Sequence, residues 1–461
     1  MGLSLQIHSQ AFSGAVHDFF SPIAHLPWAM LLESGAPLST DSRFHIISAE
    51  PLATLITQGK ETVIKHQGQR HSSTESPFAL LTHWQQRLIG EVVMPAGFAH
   101  LPFCGGALGL FSYDLGRRLE HIPRLAISEL ATPDMAVALV DWAWVIDLEQ
   151  QQAHLLVLGD EAALDARLVW WQAQHAKALV PQLPFKLTSR WQACQTQAEY
   201  GASFNKVQDY LRAGDCYQIN LTLRFNAGFV GDSWQAYRQL SAQNKAPFSA
   251  FLQLPSSTIL SLSPERFIAL EGRRVETKPI KGTRPRGANA ELDLQLAAEL
   301  SAAPKDRAEN LMIVDLLRND MGRVCVPGSV KVPSIFAIES FPAVHHLVST
   351  ITGELNPDLN AADLLAATFP GGSITGAPKV RAMAIIEELE THRRHAYCGS
   401  IGYISAHGRM DTSITIRTLV AELDQLYCWA GGGIVADSVV DAEYQELFDK
   451  LGKILPVLAE L

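Results

Sequence analysis

The residues whose types and spacing could do chemistry begin with a lysine held among chain breakers. Lys281 lies in Thr277-Lys278-Pro279-Ile280-Lys281-Gly282-Thr283-Arg284-Pro285-Arg286-Gly287, where glycine and proline impose an extended or turning backbone. Its neighbours Pro279, Ile280 and Gly282 suit a lysine drawn partly out of water, and desolvation would free its amine for nucleophilic attack. The plainer alternative is a solvated surface lysine. Glu309 follows, near the start of a helical pattern, and Glu443 and Glu446 stand three apart on one face of a second helical pattern near the C-terminus. Together they are hard oxygen donors suited to Mg²⁺ that keeps some of its waters, or else ordinary solvated helical glutamates. A glycine-rich loop, Phe369-Pro370-Gly371-Gly372-Ser373-Ile374-Thr375-Gly376-Ala377-Pro378-Lys379, feeds another helix. It does not meet the GxxxxGK[ST] pattern of a nucleotide loop, but the N–H groups of such a helix start can receive a carboxylate.

These residues need elements to hold them. The apolar cluster from 311 to 317, broken only by Asp315, suits a largely buried helix carrying Glu309. Ala198 to Ala213 has apolar positions at helical spacing and stops at Gly214-Asp215. Cys216 to Phe225 then alternates with period two, so Gln218, Asn220, Thr222 and Arg224 share one face, lining a cleft or merely facing solvent. Thr258 to Phe267 reads as a strand stopped by Pro264, which puts Glu265 at a strand end. In the last third, Ser400 to Ser405, Thr412 to Val420 and Trp429 to Val435 read as strands, with helices running to Glu390 and from Asp441 to Leu455, ending before Pro456. The first 185 residues are short apolar segments cut by Gly, Pro, Asp and Ser, a strand-rich lobe; Ala136 to Leu148 is one strand candidate and Glu161 to Ala178 a helix. Residues 180 to 195 look like a crossing, giving lobes 1–185 and 195–461.

The 461 residues, 47% hydrophobic, supply a sizeable core. The formal charge of −10 argues against a nucleic-acid backbone binder, so an anionic substrate needs a local cluster of Arg, Lys or metal. Six cysteines at 104, 194, 216, 325, 398 and 428 form no CxxC pair and read as reduced residues. No stretch approaches an uncharged membrane span and no signal pattern opens the chain, so the cytoplasm is the expected compartment. No Cys-His-acid arrangement of a glutaminase is present, so any amide nitrogen must come from elsewhere.

Six ordered motifs carry a resemblance: Pro279-Ile280-Lys281-Gly282-Thr283, Arg307-Ala308-Glu309-Asn310, Val314-Asp315-Leu316-Leu317-Arg318-Asn319-Asp320, the loop 369–379, Gly431-Gly432-Gly433-Ile434-Val435-Ala436-Asp437-Ser438 and Glu443-Tyr444-Gln445-Glu446. The chain from about 195 to 455 resembles the chorismate-utilising enzymes. That resemblance implies an α+β fold of two large facing antiparallel sheets with helices outside, the N-terminal lobe adding strands to both. Within the family, Lys281 matches the nucleophile of the branch that aminates chorismate at C4. Anthranilate synthases typically carry Ala there, and isochorismate and salicylate synthases carry a lysine base where this chain has Gln218. The implied reaction is chorismate plus ammonia giving 4-amino-4-deoxychorismate, a step toward p-aminobenzoate and folate, with ammonia from a separate glutamine amidotransferase subunit. An anthranilate synthase component I, or a non-catalytic tryptophan-binding protein of this fold, is the alternative.

By the same resemblance Glu265 is the general acid and Mg²⁺ sits on Glu309 and Glu446, with Glu443 nearby. Arg417, in Thr415-Ile416-Arg417-Thr418 read as a strand, grips the enolpyruvyl carboxylate with Tyr397 and the Gly433 backbone. His346 and Ser373 line the ring pocket. Ser34, the run Asp41-Ser42-Arg43-Phe44 and Pro247-Phe248-Ser249 match the family's tryptophan pocket.

Overall fold

A computed structural model describes residues 3–35, 42–177, 183–341 and 344–461. Among these residues two large sheets of 13 and 12 strands dominate. Each draws strands from both sides of residue 190. In the larger sheet the N-terminal strands Phe44–Ser48 and Met30–Glu33 run directly into Phe248–Gln253, Thr258–Ser263, Thr418–Glu422, Gln425–Ile434 and Gln218–Val230. In the smaller, Ile280–Pro285, Val344–Glu354, Arg274–Thr277, Arg266–Glu271, Met410–Ile414 and Ser400–Ser405 lead into the N-terminal strands Gly106–Phe111 and Met135–Val140. The ladders around the site are antiparallel.

Central strands are buried on both faces. Met135–Val140 is apolar throughout, as is Trp142–Asp147 up to its terminal Asp147, and both are fully covered, as expected of sheets sandwiched between another sheet and helices. The 136–148 segment, read as one strand, is these two strands, one in each sheet, parted at Asp141. One apolar cluster joins residues of both sheets, such as Met30, Leu252, Ile268 and Leu110. A second lies under the outer helices and contains Phe204, Trp234, Leu447 and the buried Trp142 and Trp144. Burying aromatic residues of this size is worth about 3–5 kcal/mol each against Ala, so these tryptophans weigh heavily in holding helices to sheet.

The helices begin and end where local chemistry dictates. Gln197–Ala213 starts at a Thr196/Glu199 capping box and stops at Gly214, whose φ of 78° a side chain would resist. Pro304–Gly322 buries Ile313, Val314 and Leu317, but Leu311 of the expected buried run is exposed. Its angular position leaves it on the outer stripe. The C-terminal helix Val440–Leu451 ends earlier than expected, at Gly452, and Pro456 lies in the first turn of a separate helix Leu455–Ala459, where its missing N–H costs nothing.

Candidate active site

The site gathers where the chain passes from one sheet to the other. Thr258–Ser263 belongs to the larger sheet and Arg266–Glu271 to the smaller, so Pro264-Glu265 is a crossing. Met410–Ile414 and Thr418–Glu422 make the reverse passage, so Arg417 stands between two strands in left-handed backbone, φ 52°, and not within the single strand expected from 412 to 420. The crossings bond to one another: the Ile414 N–H donates to the Glu265 carbonyl at 3.0 Å and the Leu262 N–H to the Arg417 carbonyl at 3.1 Å. Glu265 and Arg417 are thereby fixed on adjoining backbone.

Glu265 is 6% exposed, and burial pushes its carboxyl pKa up, opposed in part by the Lys281 charge and by the neighbouring Ser373 hydroxyl. Lys281 lies at a bulge: the Ile280–Pro285 pairing with Val344–Glu354 slips between Ile280 and Thr283, and Gly282 takes φ 78°. This turns the lysine into the interior, where its Nζ donates to the Ser373 carbonyl at 3.3 Å. Burial lowers the Lys281 pKa, while Glu265 and Glu309 pull it back up. A buried acid raised and a buried amine lowered, both against Ser373, form one acid–base unit.

Around this pair lie the residues expected to hold substrate. Burial lowers the Arg417 pKa, and no carboxylate forms an ion pair with it among the described residues. Such an uncompensated guanidinium suits an incoming carboxylate. His346 is buried, its Nδ1 is 2.9 Å from the Thr283 hydroxyl, and burial aided by the Arg417 charge lowers its pKa to about 4, so it is neutral at pH 7. Tyr397 stacks on Trp429 with centroids 5.9 Å apart. Gly433 pairs with Asn220, and a Cβ there would come 2.6 Å from the Gln218 amide nitrogen.

The polar strand face faces inward: Gln218, Asn220, Thr222 and Arg224 are all buried, which excludes a solvent-facing surface. Both amide atoms of Gln218 lack a hydrogen-bond partner, an open polar end in the floor of the site.

Two of the three glutamates meet. Lys305 Nζ is 3.9 Å from Glu309 and 3.7 Å from Glu443, and Glu443 also accepts from Ser438 at 2.6 Å. Burial raises the Glu309 pKa, Glu443 adding to the rise. Glu446 is half exposed and pairs with Lys450 at 2.7 Å, whose ammonium also reaches the Gly431 carbonyl. Ammonium groups thus hold the acidic oxygens, and among the described residues no group of three His, Cys, Asp or Glu stands in metal-holding array. The donor chemistry, hard carboxylates beside a cationic stand-in, fits Mg²⁺.

Away from this site, a cavity of about 930 Å³ is lined by Ser34, Arg43, Phe44, Pro247, Phe248 and Ser249. Ser42 is buried, and Asp41 lies outside the described residues. Arg43 lies over the Phe44 ring and pairs with Asp147 at 2.7 Å.

Sequence reasoning missed the polar groups beneath the site. Lys379 spans from the glycine-rich loop to Asp320 at 2.6 Å and to the Thr368 carbonyl, so it ties the loop to the helix carrying Glu309. Arg394 and Glu390 form a buried pair, but the helix Lys379–Leu389 ends before Glu390, so helical spacing gives no signal for it.

A family model described as chorismate binding enzyme matches residues 29–456, and the chain belongs to that family. It is 55% identical over 444 residues to aminodeoxychorismate synthase component 1 of Escherichia coli K12, covering 96% of each chain. It is 37% identical to anthranilate synthase component 1 of Thermus thermophilus, covering 93% of this chain and 92% of that one. The crystal structure of anthranilate synthase component I from Streptococcus pneumoniae matches with TM-score 0.78 at 31% identity, over 91% of this chain and 94% of that one. The Escherichia coli menaquinone-specific isochorismate synthase shares the fold, with TM-score 0.73 at 16% identity, over 99% and 95%. The expected two-sheet α+β fold is thus the observed one.

Proposed function

We propose that this chain carries out the reaction of an aminodeoxychorismate synthase component 1, converting chorismate and ammonia to 4-amino-4-deoxychorismate and water. The observation that carries the reading is the buried Lys281 amine, sharing Ser373 with a protonatable Glu265. Lys281 attacks C2, the ring double bond shifts, and the C4–O bond breaks as Glu265 gives its proton to the departing hydroxyl. Ammonia then bonds to C4, the double bond returns, the Lys281 nitrogen leaves C2, and the surplus proton of the ammonium returns to the Glu265 carboxylate. Arg417 receives the enolpyruvyl carboxylate with Tyr397 and the Gly433 backbone, and neutral His346 and Ser373 line the ring. Glu309, Glu443 and Glu446 would hold Mg²⁺, which supplies charge neutralisation and orientation for the ring carboxylate.

Ammonia would come from a glutamine amidotransferase subunit, consistent with the "component 1" in the names of its relatives. The test is product identification by mass and absorbance from chorismate, Mg²⁺ and ammonium salt. The parent is expected to make 4-amino-4-deoxychorismate and Lys281→Ala to lose it while melting normally. Anthranilate or isochorismate as the main product would overturn the reading.

The 930 Å³ cavity, with its Phe44 and Phe248 walls, is proposed to hold tryptophan. Tryptophan at 100 times its Kd would stabilise the chain by about 2.7 kcal/mol, read as a rise in Tm. An unchanged Tm at millimolar tryptophan, with phenylalanine as control, would reject the assignment.

A further inference from the structure

Behind the loop carrying Ser373 lies a buried charge pair that the reaction above does not use. Arg394 is 1% exposed and clasps Glu390 through Nε at 2.9 Å and Nη2 at 2.7 Å. Two more of its N–H groups go to main-chain carbonyls of different elements: Nη1 to Ile374 at 2.8 Å and Nη2 to Asn220 at 2.6 Å. Glu390 in turn accepts from the Thr222 N–H at 3.0 Å, and the guanidinium lies over the Tyr113 ring. Asn220 strengthens the tie, its Nδ2 donating to the Ile374 carbonyl at 3.0 Å and its N–H to the Thr375 carbonyl at 2.9 Å.

Stability alone does not require this arrangement. Removing two charges from water is costly, and a buried ion pair replaced by well-packed apolar residues is often as stable or more so. What an apolar pair cannot do is hold two carbonyls at fixed separation. One of those carbonyls belongs to the floor strand Gln218–Val230, the other to the residue after Ser373. Ser373 touches both reacting groups, its carbonyl receiving Lys281 and its hydroxyl lying beside Glu265. The Arg394 carbonyl also accepts the Tyr397 N–H at 2.9 Å, so the same turn seats a substrate-gripping ring.

We propose that Arg394, oriented by Glu390, is a positioning residue for the reaction: its guanidinium sets the Ser373 loop at the height above the floor strand where Ser373 bridges Glu265 and Lys281. The inference rests on the functional reading above, which assigns Glu265 and Lys281 their roles.

The test compares the parent with Arg394→Lys, which keeps a charge for Glu390 but has no fork to reach both carbonyls. Turnover is followed as chorismate consumption, so a parent that makes a different product overturns the functional reading and leaves the positioning test intact. Misplacement of the reacting groups should lower kcat about 10-fold or more while KM for chorismate stays within about twofold. Losing the Ser373 hydroxyl from beside the Glu265 carboxylate should move the limb of the pH profile governed by Glu265 to higher pH. If Arg394→Lys does not fold, Asn220→Ala, which removes the Nδ2 bond to the Ile374 carbonyl and a long 4.0 Å contact to the Cys398 sulfur, should show the same changes to a smaller degree. A folded variant with parental kcat and pH profile overturns the proposal. So does one whose kcat and Tm fall together while the profile stays in place, because that is the signature of a merely structural pair.

Discussion

At the scale of single residues, the chemistry follows from how burial and charge oppose one another. Glu265 stays protonated above the usual carboxylate range because its carboxylate form is poorly solvated, although Lys281 and Ser373 limit the rise. An acid with a raised pKa donates below that pKa and is lost as pH rises through it. Glu265→Gln is therefore expected to cost about 10²- to 10⁴-fold in kcat and to abolish the fall in activity that the parent shows on raising pH through the Glu265 pKa. A Gln variant that keeps that fall would assign the limb to another group. The family resemblance pointed to Glu265, Lys281 and Arg417, but not to the backbone that places them. The sequence pattern places Arg417 within a strand, whereas it stands in left-handed backbone at the crossing between two. Crossing points depend on which sheet each strand joins, and no short-range pattern records that.

At the scale of elements, two glycines hold the site for different reasons. Gly282 has φ 78°, and a Cβ there would come 2.8 Å from the Asp306 side chain and 2.9 Å from Leu300 Cδ1, side-chain ends that can shift by a few tenths of an ångström. Gly376 has φ 143°, and a Cβ there would come 2.2 Å from the Gln218 main-chain carbonyl, which cannot. Backbone strain of this kind costs about 1–3 kcal/mol. Gly282→Ala is expected to lose activity more than stability, because the bulge that turns Lys281 inward is disturbed. Gly376→Ala should lower Tm sharply, because strand Gln218–Val230 must move. Thermal melts with steady-state rates on both variants check this, and equal Tm losses would refute the distinction. Apolar spacing and the Gly214 stop make the helix Gln197–Ala213 legible to within a residue. The single strand expected over 136–148 is two, because the lone Asp141 is a weak turn signal when both flanking strands are buried on both faces.

At the scale of the whole molecule, the two sheets are woven from both halves of the chain. Met30–Glu33 pairs with Phe248–Gln253, and Gly106–Phe111 with Ser400–Ser405. A chain of residues 195–461 alone would present both of those partner strands as open edges, a template for aggregation. It should be insoluble or unfolded by circular dichroism, whereas co-expression with residues 1–190 should recover soluble complex. A stable, monomeric 195–461 fragment would show that the lobes fold independently.

The sequence by itself determined the family and most element starts and stops, and singled out Glu265, Lys281 and the glutamates as candidates, because motif spacing and chain breakers are local properties of the chain. Only the tertiary structure decided that the polar face of Gln218–Val230 is interior, that Glu265 and Arg417 sit at adjoining crossings between sheets, and that Arg394 spans to the Ser373 loop. Arg394 reaches the Ile374 carbonyl across 20 positions, but the floor strand it joins to that loop is far away in sequence, 174 positions separating Arg394 from Asn220. Long-range strand pairing and burial bring them together, and neither has a signature in a short window of residues.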